Sequence, residues 1–301
     1  MSIAIKTPHN QCQPASAPAA RRPAWLKVKV PGGLGYNEIK SLVNRHHLHT
    51  VCEEARCPNI AECWSRRTAT FMILGDVCTR SCGFCAVKTG RPIGLDFDEA
   101  RRVAEAAVRL NLRHAVITSV NRDELPDGGA GIFAATVREI RRRLPSCRVE
   151  VLIPDFKGDE AALHTVIAAK PDVLNHNTET IARLYPTVRP QADYRQSLTL
   201  LERAKAAGMV TKSGFMLGLG ETLDEAKDLL RDLHTAKIDI ATIGQYLQPT
   251  PMHLQVERFV HPEEFGELAE FGRAIGLRHV ESGPLVRSSY HADTQAEGAI
   301  G

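Results

Sequence analysis

The sequence predicts an α/β fold, a partial (β/α)6 barrel of the TIM type with extensions at both ends. Three observations predict it. Six apolar, β-rich runs lie at 69–74, 114–120, 148–154, 173–177, 210–218 and 238–247. Helical patterns separate them, and strands that alternate with helices pair in parallel through right-handed crossovers. Six units are too few for a closed eight-fold barrel, so the expected barrel is open on one side. Polar residues also crowd the carboxyl ends of these runs, where barrels of this kind put their chemistry.

Taken in order, residues 1–24 read as a flexible tail, rich in Pro, Ala and Gln, with Cys12 in it expected to be unliganded. An N-terminal extension spans 25–68. It opens with a short extended piece at 25–30, stopped by Pro31-Gly32-Gly33, and continues as a helix from Tyr36 to His47. His46, His47 and His49 are expected at that helix end, because cations suit a helix C-terminus. The barrel is expected over 69–283. Its helix at 96–110 places Ala100, Val103, Ala104, Ala107 and Val108 on one face, and its helix at 222–235 does the same with Leu223, Ala226, Leu229, Leu230 and Leu233. Asp159 and Thr222 stand at N-cap positions, with Glu225 completing a capping box. Gly208 stands at the C′ position after a helix at 193–207. A last short strand is expected within 277–283, before a C-terminal segment at 284–301 that carries Arg287-Ser288-Ser289-Tyr290.

The 301 residues carry a formal charge of only +3, which argues against a nucleic-acid binder with a concentrated basic stripe. No run is long and apolar enough for a membrane span, and the start lacks the pattern of a secretory signal. Eight cysteines in a chain of this kind point to metal ligation in a reducing, cytoplasmic compartment rather than to disulfides.

Six of those cysteines form two triads. Cys78, Cys82 and Cys85 have C-x3-C-x2-C spacing just after the first barrel run. Thiolates are soft ligands suited to iron–sulfur clusters, zinc or Cu(I). Zinc and a [4Fe–4S] cluster normally take four protein ligands, and this loop offers three. A cluster held by three thiolates leaves one iron open for a substrate. A structural zinc loop is the alternative, but closed zinc sites prefer paired cysteines. The second triad is Cys52, Cys57 and Cys63. Its wide spacing suits a loop wrapped around a cubane, and beside the first triad a second cluster is the better reading.

Candidate cofactor contacts lie at the strand ends: Thr118, Ser119 and Asn121 on the second, Asn175 and Asn177 on the fourth, Gly218 on the fifth. Hydroxyls and amides suit a ribose, and a glycine lets backbone approach an adenine. Glu150 on the third strand is a further candidate, facing inward towards a ribose. Gly218-x-Gly220 lacks the third glycine of a dinucleotide fingerprint.

The C-x3-C-x2-C loop, with Phe84 before its last cysteine, resembles the radical S-adenosylmethionine (SAM) enzymes, which share the expected barrel. Both triads together with Arg287-Ser288-Ser289-Tyr290 resemble the lipoyl synthase family, from about Trp25 to His291. The Asn121–Ala130 and Gly214–Glu221 runs belong to the same likeness. The resemblance implies insertion of two sulfur atoms, at C6 and C8 of an octanoyl chain on a lysine of a lipoyl-carrier domain. It implies SAM and two [4Fe–4S] clusters. The Cys78/Cys82/Cys85 cluster would generate radicals. The Cys52/Cys57/Cys63 cluster would be consumed as the sulfur source, with Ser288 as its fourth ligand and Ser289 the second candidate. The implied partners are octanoylated carrier domains of 2-oxoacid dehydrogenase E2 and glycine cleavage H proteins, reduced ferredoxin or flavodoxin, and an iron–sulfur carrier for repair. The competing reading is another radical SAM sulfur-inserting enzyme, biotin-synthase-like, acting on a small molecule.

Overall fold

The computed structural model describes residues 22–27, 49–50, 57 and 59–300. Cys12, Cys52 and the expected helix at 36–47 lie outside the described residues. Ten strands are described: β1 (His49–Thr50), β2 (Thr68–Ile73), β3 (Val77–Cys78), β4 (Lys88–Thr89), β5 (His114–Ser119), β6 (Arg148–Leu152), β7 (Val173–Asn175), β8 (Thr211–Leu217), β9 (Ile240–Gln245) and β10 (His279–Gly283). β3 and β4 pair with each other, and the other eight form one sheet in the order β1-β2-β5-β6-β7-β8-β9-β10. From β2 to β10 every pairing is parallel, and β1 adds an antiparallel edge to β2.

Six of these strands fall on the six expected runs, and β10 supplies the last. Nine α-helices are described: α1 (Ile60–Ser65), α2 (Glu99–Arg109), α3 (Ala130–Arg143), α4 (Glu160–Ala168), α5 (Tyr185–Val188), α6 (Tyr194–Ala206), α7 (Leu223–Thr235), α8 (Pro262–Ala274) and α9 (Ala292–Ile300). The expected punctuation holds. Asp159 accepts from the Ala161 and Ala162 amides. Thr222 and Glu225 form the capping box of α7. Gly208, with φ +85°, follows the end of α6.

Two local expectations fail. The piece expected to be extended over 25–30 instead begins as a 3-10 turn, Ala24–Leu26, closed by the Lys27 amide on the Ala24 carbonyl; residues 28–30 lie outside the described residues. It buries Leu26 and sets the Trp25 ring edge-on against His261, at 5.1 Å. His49 is no helix-end residue. Its backbone pairs with Met72 and fills the outer edge of β2. The short helix α9 was not anticipated. It buries Ala292, Ala296 and Ala299 and packs on β5 and β10. Arg148 and Arg278, at the amino ends of β6 and β10, reach Glu297 (3.6 Å) and the Ala299 carbonyl (3.2 Å). α9 therefore covers the end of the barrel opposite the chemistry.

The helices bury their apolar faces on the outside of the sheet, where Phe133, Val137 and Ile140 of α3 join Ile117, Val149 and Val151 in one core. Each such side chain stabilises by about 1.5–3 kcal/mol. On the inner face, fully buried Lys212 of β8 crosses β7 to reach Glu150 of β6 at 3.0 Å. Glu150 also meets His114 (3.4 Å) and accepts from the Asn175 amide (3.1 Å). Burial alone would raise the Glu150 carboxyl, but Lys212 and His114 outweigh it and hold its pKa below the usual value. Lys212→Met should strand that carboxylate and lower unfolding free energy by about 3–5 kcal/mol. A urea midpoint equal to wild type would show the pair to be dispensable.

Candidate functional site

The loop that carries the first triad is clamped at its base. β3 and β4 pair through Cys78 and Thr89, and the Gly90 amide donates to the Cys78 carbonyl at 2.9 Å. Neighbouring loops hold its crown. The Gly83 amide donates to the Val188 carbonyl and the Leu254 amide to the Gly83 carbonyl, both at 3.0 Å. His253 sets Nε2 2.9 Å from the Cys85 carbonyl, and the Thr250 hydroxyl lies 2.8 Å from its Nδ1. Phe84 and Leu254 pack with Val188, Leu219 and Tyr246 in a small apolar cluster beside the thiols.

The three thiols lie within electrostatic reach of one another. Burial, then the neighbouring thiols, push Cys85 up to about 12, and burial raises Cys82 as well. A bound metal favours the thiolate form of thiols buried in this way. Three thiols on one loop are a soft donor set, one short of the four that a closed zinc site takes, and so fit an iron–sulfur cluster with one iron left without a protein ligand.

The expected cofactor contacts divide into two groups. Ser119 Oγ, Asn175 Oδ1 and Asn177 Oδ1 are buried and have no hydrogen-bond partner among the described residues. Such atoms cost about 1–3 kcal/mol each unless a ligand or water reaches them, so they fit a polyhydroxylated cofactor. The others are engaged within the protein. Thr118 donates to the Leu152 carbonyl (3.0 Å), and the Asn121 amide donates to the Cys78 sulfur (3.3 Å). Glu150 is held by Lys212. Gly218 has φ +99°, and a Cβ there would meet Gln245 Nε2 at 2.2 Å and the Arg258 carbonyl at 2.6 Å. Glu221 accepts from the Gly218 and Leu219 amides and fixes that turn.

Sequence reasoning missed Glu179. Its φ of +67° is strained for a non-glycine residue, yet its backbone is locked onto β8 beside Phe215. Its carboxylate accepts from Asn177 (3.0 Å) and faces Cys82 and Cys85, with burial raising its pKa against the pull of Arg189. It stood in a polar strand end, but nothing in the sequence announced the turn that aims it.

The described part of the second triad meets the C-terminal segment. The Asn59 amide donates to the Leu285 carbonyl at 2.6 Å. Tyr290 donates to Glu62 at 3.2 Å, and His291 Nε2 lies 3.0 Å from the same carboxylate. Burial and Glu62 push the Tyr290 hydroxyl up to about 12. Burial raises the Cys57 thiol against the opposing pull of the Asn59 backbone and Arg287. The hydroxyls of Ser288 and Ser289, on the same segment, take no hydrogen bond among the described residues. On β9, a Cβ at Gly244 would meet the Val286 carbonyl at 2.2 Å. Gly244→Ala should therefore push the segment outward at a cost of about 1–3 kcal/mol. Iron lost from the second centre, with the first retained, is the expected reading; unchanged total iron would contradict it.

The Radical SAM superfamily profile matches residues 72–233, and that of the N-terminal domain of lipoyl synthase of the Radical SAM family matches residues 7–57. A protein of Rubrobacter xylanophilus named lipoyl synthase is 63% identical over 280 residues, covering 92% of this chain and 87% of its own. One of Symbiobacterium thermophilum with the same name is 57% identical over 288 residues, covering 95% and 90%. Among solved structures, HydG, a maturase of the [FeFe]-hydrogenase, superposes with a TM-score of 0.58 at 13% identity, over 88% of this chain and 67% of that one. Streptococcus suis SuiB bound to S-adenosylmethionine gives 0.56 at 12% identity, over 77% and 56%. At such identities the structures speak for the barrel fold alone.

Proposed function

We propose a reaction for this chain from the premise that it belongs to the lipoyl synthase family of the radical SAM superfamily. It is an enzyme that uses SAM and [4Fe–4S] clusters to insert sulfur at C6 and C8 of an octanoyl chain on a lipoyl-carrier protein. When bound, one cluster would supply an electron for the reductive cleavage of SAM, and the other would supply sulfur.

The chain's own residues then have these roles. Cys78, Cys82 and Cys85 hold the radical-generating cluster. Ser119, Asn175 and Asn177 offer their unpartnered oxygens to the SAM hydroxyls and amino group, with Thr118, Asn121, Glu179 and Gly218 shaping the same rim. Glu150 supports that rim from below through Asn175. Phe84, Leu219, Tyr246 and Leu254 exclude water beside the loop. Cys52, Cys57, Cys63 and Ser288 hold the second cluster, with Ser289 the other serine to test. The observation that supports this assignment is the closure of Tyr290 and His291 onto Glu62, the neighbour of Cys63 in the chain.

The finer partners are carrier domains of 2-oxoacid dehydrogenase E2 and glycine cleavage H proteins, reduced ferredoxin or flavodoxin, and an iron–sulfur carrier for repair. Among the described residues no helix is long and apolar enough to cross a membrane; the cytoplasm is the proposed location. The test is anaerobic turnover of an octanoylated carrier peptide with SAM and a reductant, read by mass spectrometry. Two added sulfurs are expected; turnover of a small free acid in place of the peptide would overturn the reading.

A further inference from the structure

We infer that Arg80 is a positioning residue for the radical-generating cluster: clamped between Asp123 and Asp155, it holds two backbone N–H groups on the Cys78 sulfur and sets the charge beside it. The inference rests on the assignment of Cys78, Cys82 and Cys85 as ligands.

Arg80 lies inside the cysteine loop, yet its side chain is only 4% exposed. Its Nε and Nη2 donate to the two Asp123 oxygens at 2.7 and 2.9 Å. Its Nη1 and Nη2 donate to the two Asp155 oxygens at 2.8 and 2.7 Å. Asp123 follows β5 and Asp155 follows β6, so one guanidinium ties the cysteine loop to two strand ends. Gln196 and the Lys157 amide fix Asp155 from behind, at 2.9 and 3.0 Å. Thr79 closes the circuit: its hydroxyl lies 3.0 Å from Asp123, and its amide donates to the Asn121 carbonyl at 3.0 Å.

The product of this circuit is felt at one sulfur. The Arg80 and Asn121 amides donate to Cys78 Sγ at 3.4 and 3.3 Å. Hydrogen bonds to ligand sulfurs and local net charge are two of the means by which a protein tunes a cluster's potential. Within the clamp two carboxylates face one guanidinium, with Lys157 on the Asp123 carbonyl and Arg189 against Cys82 as the neighbouring cations, so each member of the clamp contributes a charge that can be removed singly. Stability alone is a poor reason for such an arrangement, because buried ion pairs gain little over apolar packing. Lysine, a single point charge, cannot make two bidentate contacts.

The experiment uses anaerobically reconstituted protein in a Cys57→Ala/Cys63→Ala background, so that one cluster is titrated. Midpoint potential, iron content and apo-protein melting are measured together. Arg80→Gln removes a positive charge and frees both amides. It should shift the reduction equilibrium towards the oxidised form at least tenfold, about 59 mV for one electron. Arg80→Lys keeps the charge and should recover part of that shift. Asp155→Asn removes a negative charge and should shift the equilibrium the opposite way. Should that variant not fold, Asp123→Asn makes the same charge change at a less buried carboxylate. Shifts of the same sign for Arg80→Gln and the Asp variant, or potentials within twofold of the parent, overturn the inference. Cys82→Ala is the control: a retained cluster signal there overturns the ligand assignment, whereas a lost signal with unmoved Arg80 variants overturns only the role of Arg80.

Discussion

Alanine at Cys78, Cys82 or Cys85 is expected to abolish 5′-deoxyadenosine formation. The loop offers three thiols, and a cluster left with two has no secure seat. Loss of an outer-shell partner costs about 10–100-fold in metal affinity, and loss of a ligand should cost more. The three variants should fall alike, because each thiol serves a separate iron. The apo-protein should melt near wild type, since none of the three side chains belongs to the fully buried core. Anaerobic iron analysis and a 5′-deoxyadenosine assay check both halves. Cleavage at the wild-type rate in any one variant would sink the assignment.

Alanine at Cys57 or Cys63 should do the reverse. SAM cleavage should persist while sulfur-containing product falls to background, because the second triad lies on α1 and the residues before it, apart from the cysteine loop. Serine is a harder ligand than thiolate and holds iron less firmly. Ser288→Ala should therefore lose second-centre iron and product but keep cleavage. Ser288→Cys should keep iron near wild type and transfer sulfur poorly. Ser289 variants run beside them would show which hydroxyl matters. Wild-type product yield from both Ser288 variants would transfer the role to Ser289.

The parts written locally in the chain were legible from sequence. Strand runs, the Thr222–Glu225 box and Gly208 each depend on a few adjacent residues, and each stands where expected. Ligand spacing is a local quantity too, which is why the sequence alone suffices to propose the two triads. What depends on distant pairing was hidden. Lys212 reads as one of three polar residues, Thr211 to Ser213, in an otherwise apolar run until β6 brings Glu150 beneath it. Asp155 carries no signal of its own, since its partner Arg80 is 75 residues away. His49 misled because its pairing with Met72 cannot be read from helical periodicity. Glu179 needed a left-handed backbone that the sequence gives no glycine to announce.

The tie between Asn59 and Leu285 spans 226 residues. Closing a flexible loop of that length costs on the order of 5 kcal/mol of chain entropy. Folding of the barrel meets that cost once, through contacts of ordinary protein groups: Asn59 on Leu285, Tyr290 and His291 on Glu62, Arg66 on Asp293. None of these contacts includes iron or sulfide. A sulfur source consumed in each reaction cycle would therefore leave this tie standing. Restoration then becomes a matter of delivery, with a rate set by the supply of iron and sulfide rather than by the search of a loose tail for its place.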